Sequence, residues 1–136
     1  MKLAVVIPVY NEKNTLLKII EKVQKTAFDK TILIVDDCST DGSADIIKHQ
    51  LTAPNILKFY NDKNSGKGAA VCKAFANIPA DCDIVIIQDA DLEYDPEDYS
   101  ILLKPIIEGY ADVVYGSRFK GISTSMFFWH YLGNKF

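Results

Sequence analysis

In "DADLEYDP", residues 89 to 96, four carboxylates stand at every second position: Asp89, Asp91, Glu93 and Asp95. They follow the apolar run "IVII" after a single glutamine. In an extended chain alternate side chains share one side, so Asp89, Asp91 and Glu93 converge if the segment stays extended. Like charges this close repel, and a cation between them removes the cost. Converging oxygen donors suit a hard divalent ion, Mg2+ or Mn2+, rather than zinc. Magnesium usually takes one or two carboxylates and completes its shell with water and substrate phosphates. The pattern therefore points to a metal that carries a diphosphate. The alternative is a solvated acidic turn capping the next helix, and Asp95, just before Pro96, reads as such a cap.

Other reactive residue types are less organised. The three cysteines, Cys38, Cys72 and Cys82, have no paired spacing, and the two histidines, His49 and His130, lie far apart and near no cysteine. That argues against a zinc site and makes Cys38 a small loop side chain rather than a nucleophile. "NSGKGAA" lacks the GxxxxGK[ST] spacing of a P-loop. Lys67 within it either reaches a phosphate or is a solvated helix start, while Gly66 and Gly68 allow a tight turn or close approach by a ligand.

The elements that must position these groups are legible as short apolar runs alternating with helical patterns. "KLAVVIPVY", "TILIVDD", "NILKFYN", "DIVIIQDAD" and "ADVVYG" read as strands. "NTLLKIIEKVQKTA" places Leu16, Ile20, Val23 and Ala27 on one helix face. "GSADIIKHQL", "GKGAAVCKAFANI" and "DPEDYSILLKPIIEG" supply further helices, with Pro105 expected to kink or end the last. Alternation of this kind means an α/β fold with a mainly parallel sheet and right-handed crossovers, whose ligands bind beyond the carboxyl ends of the strands. Tyr10 to Glu12, Asp36 and Asp37, Asn64 to Gly68, Asp89 and Asp91, and Ser117 and Arg118 each follow a strand. Every polar cluster lands on one edge.

Bulk properties agree with one ordinary domain. The chain has 136 residues, 49% hydrophobic and 24% charged, enough to bury a core and unlike a disordered chain. A net charge of -3 argues against nucleic acid as a partner. The start "MKLAVVIPVYNE" is too short in its apolar run for a signal peptide, and no window reaches the ~18 apolar residues of a membrane span. A cytoplasmic location is expected. The aromatic tail "SMFFWHYLGNKF" looks like a packing helix or an interfacial segment of a longer protein that has been cut.

"VVIPVYNE", "IVDDCSTDGS", "NSGKGAAV", "DADLEYDP" and "VVYGSRF" occur in the order and spacing of the family 2 glycosyltransferases, and the chain resembles that family over residues 3 to 120. Within it, the chain is most similar to the dolichyl- and polyprenyl-phosphate sugar synthases. The resemblance implies a GT-A fold, with residues 1–120 as the nucleotide-sugar-binding core and 121–136 as the start of an acceptor-side segment. It implies that Pro8, Tyr10 and Glu12 line the nucleotide pocket and that Asp37 accepts a hydrogen bond from the base. Asp36 is expected to fix its loop through backbone N–H groups. Asp89 and Ala90 would meet the nucleotide-sugar, with Asp89, Asp91 and Glu93 around the metal, Mg2+ or Mn2+. Glu93 stands where many relatives have glutamine. Arg118 would grip the diphosphate with its guanidinium fork.

The activity so implied is metal-dependent, inverting transfer of a hexose from a nucleoside-diphosphate sugar, of the GDP-mannose or UDP-glucose type. Asp91 and Arg118 are its catalytic residues. The expected acceptor is a polyprenyl phosphate or a glycan, reached at the cytoplasmic face of a membrane through peripheral contact. Alternatives are a donor-binding fragment without turnover and a sugar-nucleotide pyrophosphorylase. The glycine-free "VYNEKNT" after the first strand speaks against the latter, and a phosphorylatable receiver domain fits the strand ends poorly.

Overall fold

The computed structural model describes residues 1–116. Arg118 and the 121–136 tail lie outside the described residues. The chain divides into two compact units after Tyr99.

The first unit, Met1–Tyr99, is built on a four-stranded sheet of β1 (Lys2–Val9), β2 (Asp29–Asp36), β3 (Ile56–Tyr60) and β4 (Ile84–Ile87). The spatial order is β3-β2-β1-β4 and every pair is parallel. Helices α1 (Leu16–Lys25), α2 (Ser43–Gln50) and α3 (Lys67–Phe75) make the crossovers. The expected α/β class with a parallel sheet is the one observed.

Burial on both sheet faces explains the near-continuous apolar strands. On one face Ala4, Val6, Leu33 and Val35 pack with Ala70 and Ala74 of α3. Alanine at those two helix positions lets α3 approach the sheet closely. The alternate residues Leu3, Val5, Ile7, Ile32 and Ile34 face the other way and are equally inaccessible. Truncating one such side chain, as in Leu33→Ala, costs about 2–5 kcal/mol.

Helix α1 buries Leu16, Ile19, Ile20 and Val23. Ala27, expected on that face, lies beyond the helix and is exposed. The helix stops because the Thr26 hydroxyl and N–H both turn back to the Val23 carbonyl. The Lys30 ammonium also caps it by donating to the Thr26 carbonyl at 2.9 Å. Asp95 caps as expected: its side chain accepts from Glu97 N–H at 3.1 Å and opens a 3-10 turn, Pro96–Asp98. That turn leads into α4 (Tyr99–Ile107).

In the second unit, from Ser100, α4 continues to Ile107 with Pro105 inside it, so the helix outlasts its proline by two residues. Tyr110 N–H then turns back to the Pro105 carbonyl, with Gly109 at φ +77. The fifth expected strand, "ADVVYG", is not formed. Residues 111–116 take no regular structure, and Val113 and Tyr115 stand exposed. A strand is defined by its ladder, and this run has no paired neighbour among the described residues.

The order of the sheet places the site. From β1 the chain steps outward to β2 and β3, then returns across them through α3 to β4 on the other side of β1. The reversal lies between β1 and β4, and a crevice opens at their carboxyl ends.

Candidate functional site

That crevice is a cleft of about 290 Å³ lined by Pro8, Val9, Tyr10, Glu12, Asp37, Asn64, Gly66, Lys67, Ala70, Asp89, Ala90 and Asp91. Seven residues that the resemblance assigned to the nucleotide-sugar site thus surround one space, Pro8, Tyr10, Glu12, Asp37, Asp89, Ala90 and Asp91, joined by Asn64, Gly66 and Lys67 of the "NSGKGAA" run. Glu93 does not line it.

Pro8 closes the β1 wall. The last β1–β4 pair is Val6 with Ile87, and Gln88 N–H then donates to the Val6 carbonyl. Alternation puts the nitrogen of Pro8 on the same side, beyond the last registered pair, where the missing N–H removes no ladder bond.

The loop after β1 is clasped to the loop after β2. Asn11, at φ 53, donates its N–H to Ser39 Oγ at 2.9 Å and accepts from Thr40 N–H at 2.8 Å. Glu12 N–H reaches Ser43 Oγ at 2.9 Å, and Lys13 N–H reaches Asp41 at 3.1 Å. Ser43 Oγ itself donates to Asp41 at 2.6 Å. These bonds set Tyr10 and Glu12 at the cleft, with Tyr10 exposed to solvent. Cys38 has φ 63, which explains why a small side chain suits the position, and its Sγ donates to the Asp62 carbonyl at 3.6 Å.

Asp36 and Asp37 divide their labour. Asp36 Oδ2 accepts from Ser39 N–H at 3.1 Å, the expected loop-fixing role, while Oδ1 is buried without a hydrogen-bond partner. Asp37 is 3% exposed. Its Oδ1 accepts from Asn61 Nδ2 at 2.8 Å and Ser65 N–H at 2.9 Å, and its Oδ2 from Gly66 N–H at 2.7 Å. Burial alone pushes this carboxyl up, yet the three donors outweigh it and hold Asp37 below the usual carboxylate range. Asn61 is in turn oriented by Lys73, whose ammonium donates to Asn61 Oδ1 at 3.0 Å and to the Tyr60 carbonyl at 2.7 Å. An ammonium is donor-only and a carboxylate acceptor-only, so the amide can face them one way round. Residues 62–69 are all exposed. Hydrogen bonds rather than packing therefore bring Asn64, Gly66 and Lys67 to the cleft.

Gly66 needs its glycine, with φ +90 and open space where a Cβ would stand. Gly68 is helical and open, so nothing within the protein requires glycine there.

The acidic stretch departs from expectation. Residues 89–93 do not stay extended. The strand stops at Ile87, residues 90–94 turn, and Leu92 takes φ +67. Asp91 Oδ1 accepts from Glu93 N–H at 3.0 Å. A left-handed residue between Asp91 and Glu93 breaks the alternation that would have aligned three carboxylates. Among the described residues no group of three or more His, Cys, Asp or Glu side chains could hold a metal ion. Asp89 and Asp91 remain together at the cleft. Two carboxylates fit Mg2+ or Mn2+ when substrate oxygens complete the shell. A cation already occupies part of this place, since Lys67 Nζ lies 2.5 Å from Asp89 Oδ1.

The residues that sequence reasoning missed are Asn61 and Lys73 behind Asp37, and Asp41 and Ser43 behind Glu12. Apart from the local Ser43–Asp41 bond, their bonds run between residues remote in the chain, which no local pattern displays.

Comparison with known proteins accords with this geometry. The chain is 36% identical over 119 residues to the undecaprenyl-phosphate 4-deoxy-4-formamido-L-arabinose transferase of Serratia proteamaculans, covering 83% of this chain and 36% of the relative. The protein of the same name from Proteus mirabilis is 34% identical, covering 93% of this chain and 39% of the relative. The chain thus spans little more than a third of these relatives. Among solved structures, S. aureus TarS 1-349 in complex with UDP-GlcNAc superposes with TM-score 0.69 at 25% identity, covering 94% of this chain and 38% of that one. The Pyrobaculum calidifontis mannosyltransferase PcManGT in complex with GDP-Man and Mn2+ shares the fold, with TM-score 0.60 at 24% identity over 65% of this chain and 27% of that one. These neighbours have the GT-A architecture. The model of glycosyl transferase family 2 matches residues 4–135, and the chain belongs to that family.

Proposed function

We propose that this protein transfers a sugar from a nucleoside-diphosphate sugar to a polyprenyl phosphate. One observation carries the reading: Pro8, Tyr10, Glu12, Asp37, Asp89, Ala90 and Asp91 surround a single cleft at the switch point of a parallel sheet. The names of the two relatives, both undecaprenyl-phosphate transferases, support the acceptor class.

In this reading the base lies by Tyr10 and Glu12 and offers a ring N–H to Asp37. A carboxylate has about four acceptor directions, and three are in use, which leaves one. Asp89 and Asp91 would hold Mg2+ or Mn2+, with the Glu93 N–H bracing the Asp91 carboxylate. A divalent cation bound there supplies Lewis-acid stabilisation of the diphosphate. Arg118 grips the same diphosphate, a role that rests on the resemblance alone. The acceptor phosphate oxygen attacks the anomeric carbon as the bond to the diphosphate breaks, and the nucleoside diphosphate leaves with the electron pair. The attacking oxygen is already anionic, so no strong general base is required. Catalysis is then electrostatic, with positive charge placed where negative charge develops.

A lipid-linked acceptor places the work at a membrane surface, on the cytoplasmic side where the donor is available. No described helix is long and apolar enough to cross a membrane. The lining of the cleft, which offers groups for a nucleotide and a metal, also fits a second reading, a donor-binding unit without turnover.

The test is transfer of radiolabelled sugar from UDP- and GDP-sugars to undecaprenyl phosphate in detergent with Mn2+. A lipid-soluble labelled product supports the first reading. Donor binding without product supports the second, and neither binding nor product contradicts both.

A further inference from the structure

Gln88 is out of place by type: a polar side chain 2% exposed, directly after the apolar β4. Its Nε2 donates to the Asp89 carbonyl at 3.1 Å and to the Tyr94 carbonyl at 3.0 Å. One amide group therefore clips together the two ends of the 89–94 turn. Its Oε1 accepts from the Tyr99 hydroxyl at 2.8 Å, and Tyr99 is itself 2% exposed. The two carbonyls can only accept, so the amide nitrogen must face them and the oxygen must face the phenol. Burial holds the Tyr99 phenol well above its ordinary range, which keeps the donor protonated. Asp91 lies between the clipped ends and is exposed, and its turn is otherwise braced by its own bond to Glu93 N–H.

We propose that Gln88 and Tyr99 are positioning residues for the divalent cation, acting through the clipped turn to fix where Asp89 and Asp91 present their carboxylates. The inference rests on the donor-site reading above and adds to it two residues that do not line the cleft. Partners behind metal ligands commonly govern affinity nearly as strongly as the ligands do.

Tyr99→Phe removes one hydroxyl, keeps the ring, and leaves the buried Gln88 Oε1 without its donor, so that the amide is held only by its two bonds to the carbonyls. Gln88→Leu removes the clip at similar volume. UDP and GDP are titrated into the full chain by calorimetry with and without Mn2+, and amide exchange of residues 89–94 is read by NMR without ligand. The metal-dependent part of nucleotide binding should weaken about tenfold in Tyr99→Phe and more in Gln88→Leu, while metal-free binding stays as in the wild type. Exchange at 89–94 should quicken while the β1 and β2 amides remain protected. Unchanged metal-dependent binding in Tyr99→Phe, or an equal loss of both parts, overturns the proposal. If the wild type shows no metal-dependent binding, the donor-site reading fails instead. The exchange data then judge the clip alone, and unaltered exchange in both variants refutes it.

Discussion

Lys67 and Asp89 form an ion pair in the cleft, Nζ to Oδ1 at 2.5 Å, joining the first residue of α3 to the segment after β4. A carboxylate suited to a metal is thus paired with a lysine ammonium. The lysine side chain is 59% exposed, so solvent screens the pair and its worth is at most about 1 kcal/mol. Incoming metal and diphosphate can exchange it readily, with Lys67 moving to the phosphates.

Lys67→Met should therefore have two opposite effects. Mn2+ alone should bind up to about fivefold more tightly, the equivalent of 1 kcal/mol. UDP without metal should bind more weakly. Titration of free Mn2+ by electron paramagnetic resonance reads the first effect and calorimetry the second. Changes of the same sign would show that the pair does not compete with the ligand.

The clasp behind Glu12 is a stability device. Ser43 is fully buried, accepts from Glu12 N–H and donates to Asp41. Ser43→Ala leaves both partners short of a bond and should cost about 1–3 kcal/mol. Urea unfolding measures this directly, and a midpoint equal to wild type refutes the clasp.

Much of the fold was legible because strands buried on both faces advertise themselves as apolar runs. Their ends, punctuated by Tyr10, Asp37 and Asp89, named the edge where the cleft lies. Local patterns do not show where a ladder finds its partner, and "ADVVYG", with Val113, Val114 and Tyr115 in a row, has no pairing among the described residues. Alternation likewise carried the acidic run as far as Asp91 and failed at Leu92, because a positive φ at a leucine is enforced by surroundings. The Lys73–Asn61–Asp37 chain was hidden for another reason: its members are ordinary surface residue types until the fold brings β2, β3 and α3 together.

That chain gives a pH dependence of definite sign. Asp37 has a folded pKa below its unfolded value of about 3.9. The unfolded state binds the proton first, so the stabilisation is complete at neutral pH and fades as pH falls below about 4, through the depressed folded value. The Gly66 amide resonance should hold its position down to that range. Asn61→Leu removes one stabilising donor and should move the transition to higher pH. A transition unmoved by Asn61→Leu removes this bond from the account.

Cysteine reactivity separates two positions. Cys72 on α3 is exposed, whereas Cys82 is partly buried, and burial foremost raises its thiol above the ordinary range. Thiolate is the reactive form, so iodoacetamide at pH 8 should label Cys72 well before Cys82. Peptide mass mapping over time decides the order, and equal rates contradict the burial of Cys82.

The most direct measurement is calorimetric titration of UDP and GDP, with and without Mn2+, into wild type and Asp91→Asn. Mn2+ is expected to tighten binding of one nucleotide to the wild type. Asp91→Asn should lose about tenfold in that affinity, on the order of 1.4 kcal/mol, with metal-free binding preserved. Equal affinities in the two proteins, with Mn2+ present, would contradict the metal role of Asp91.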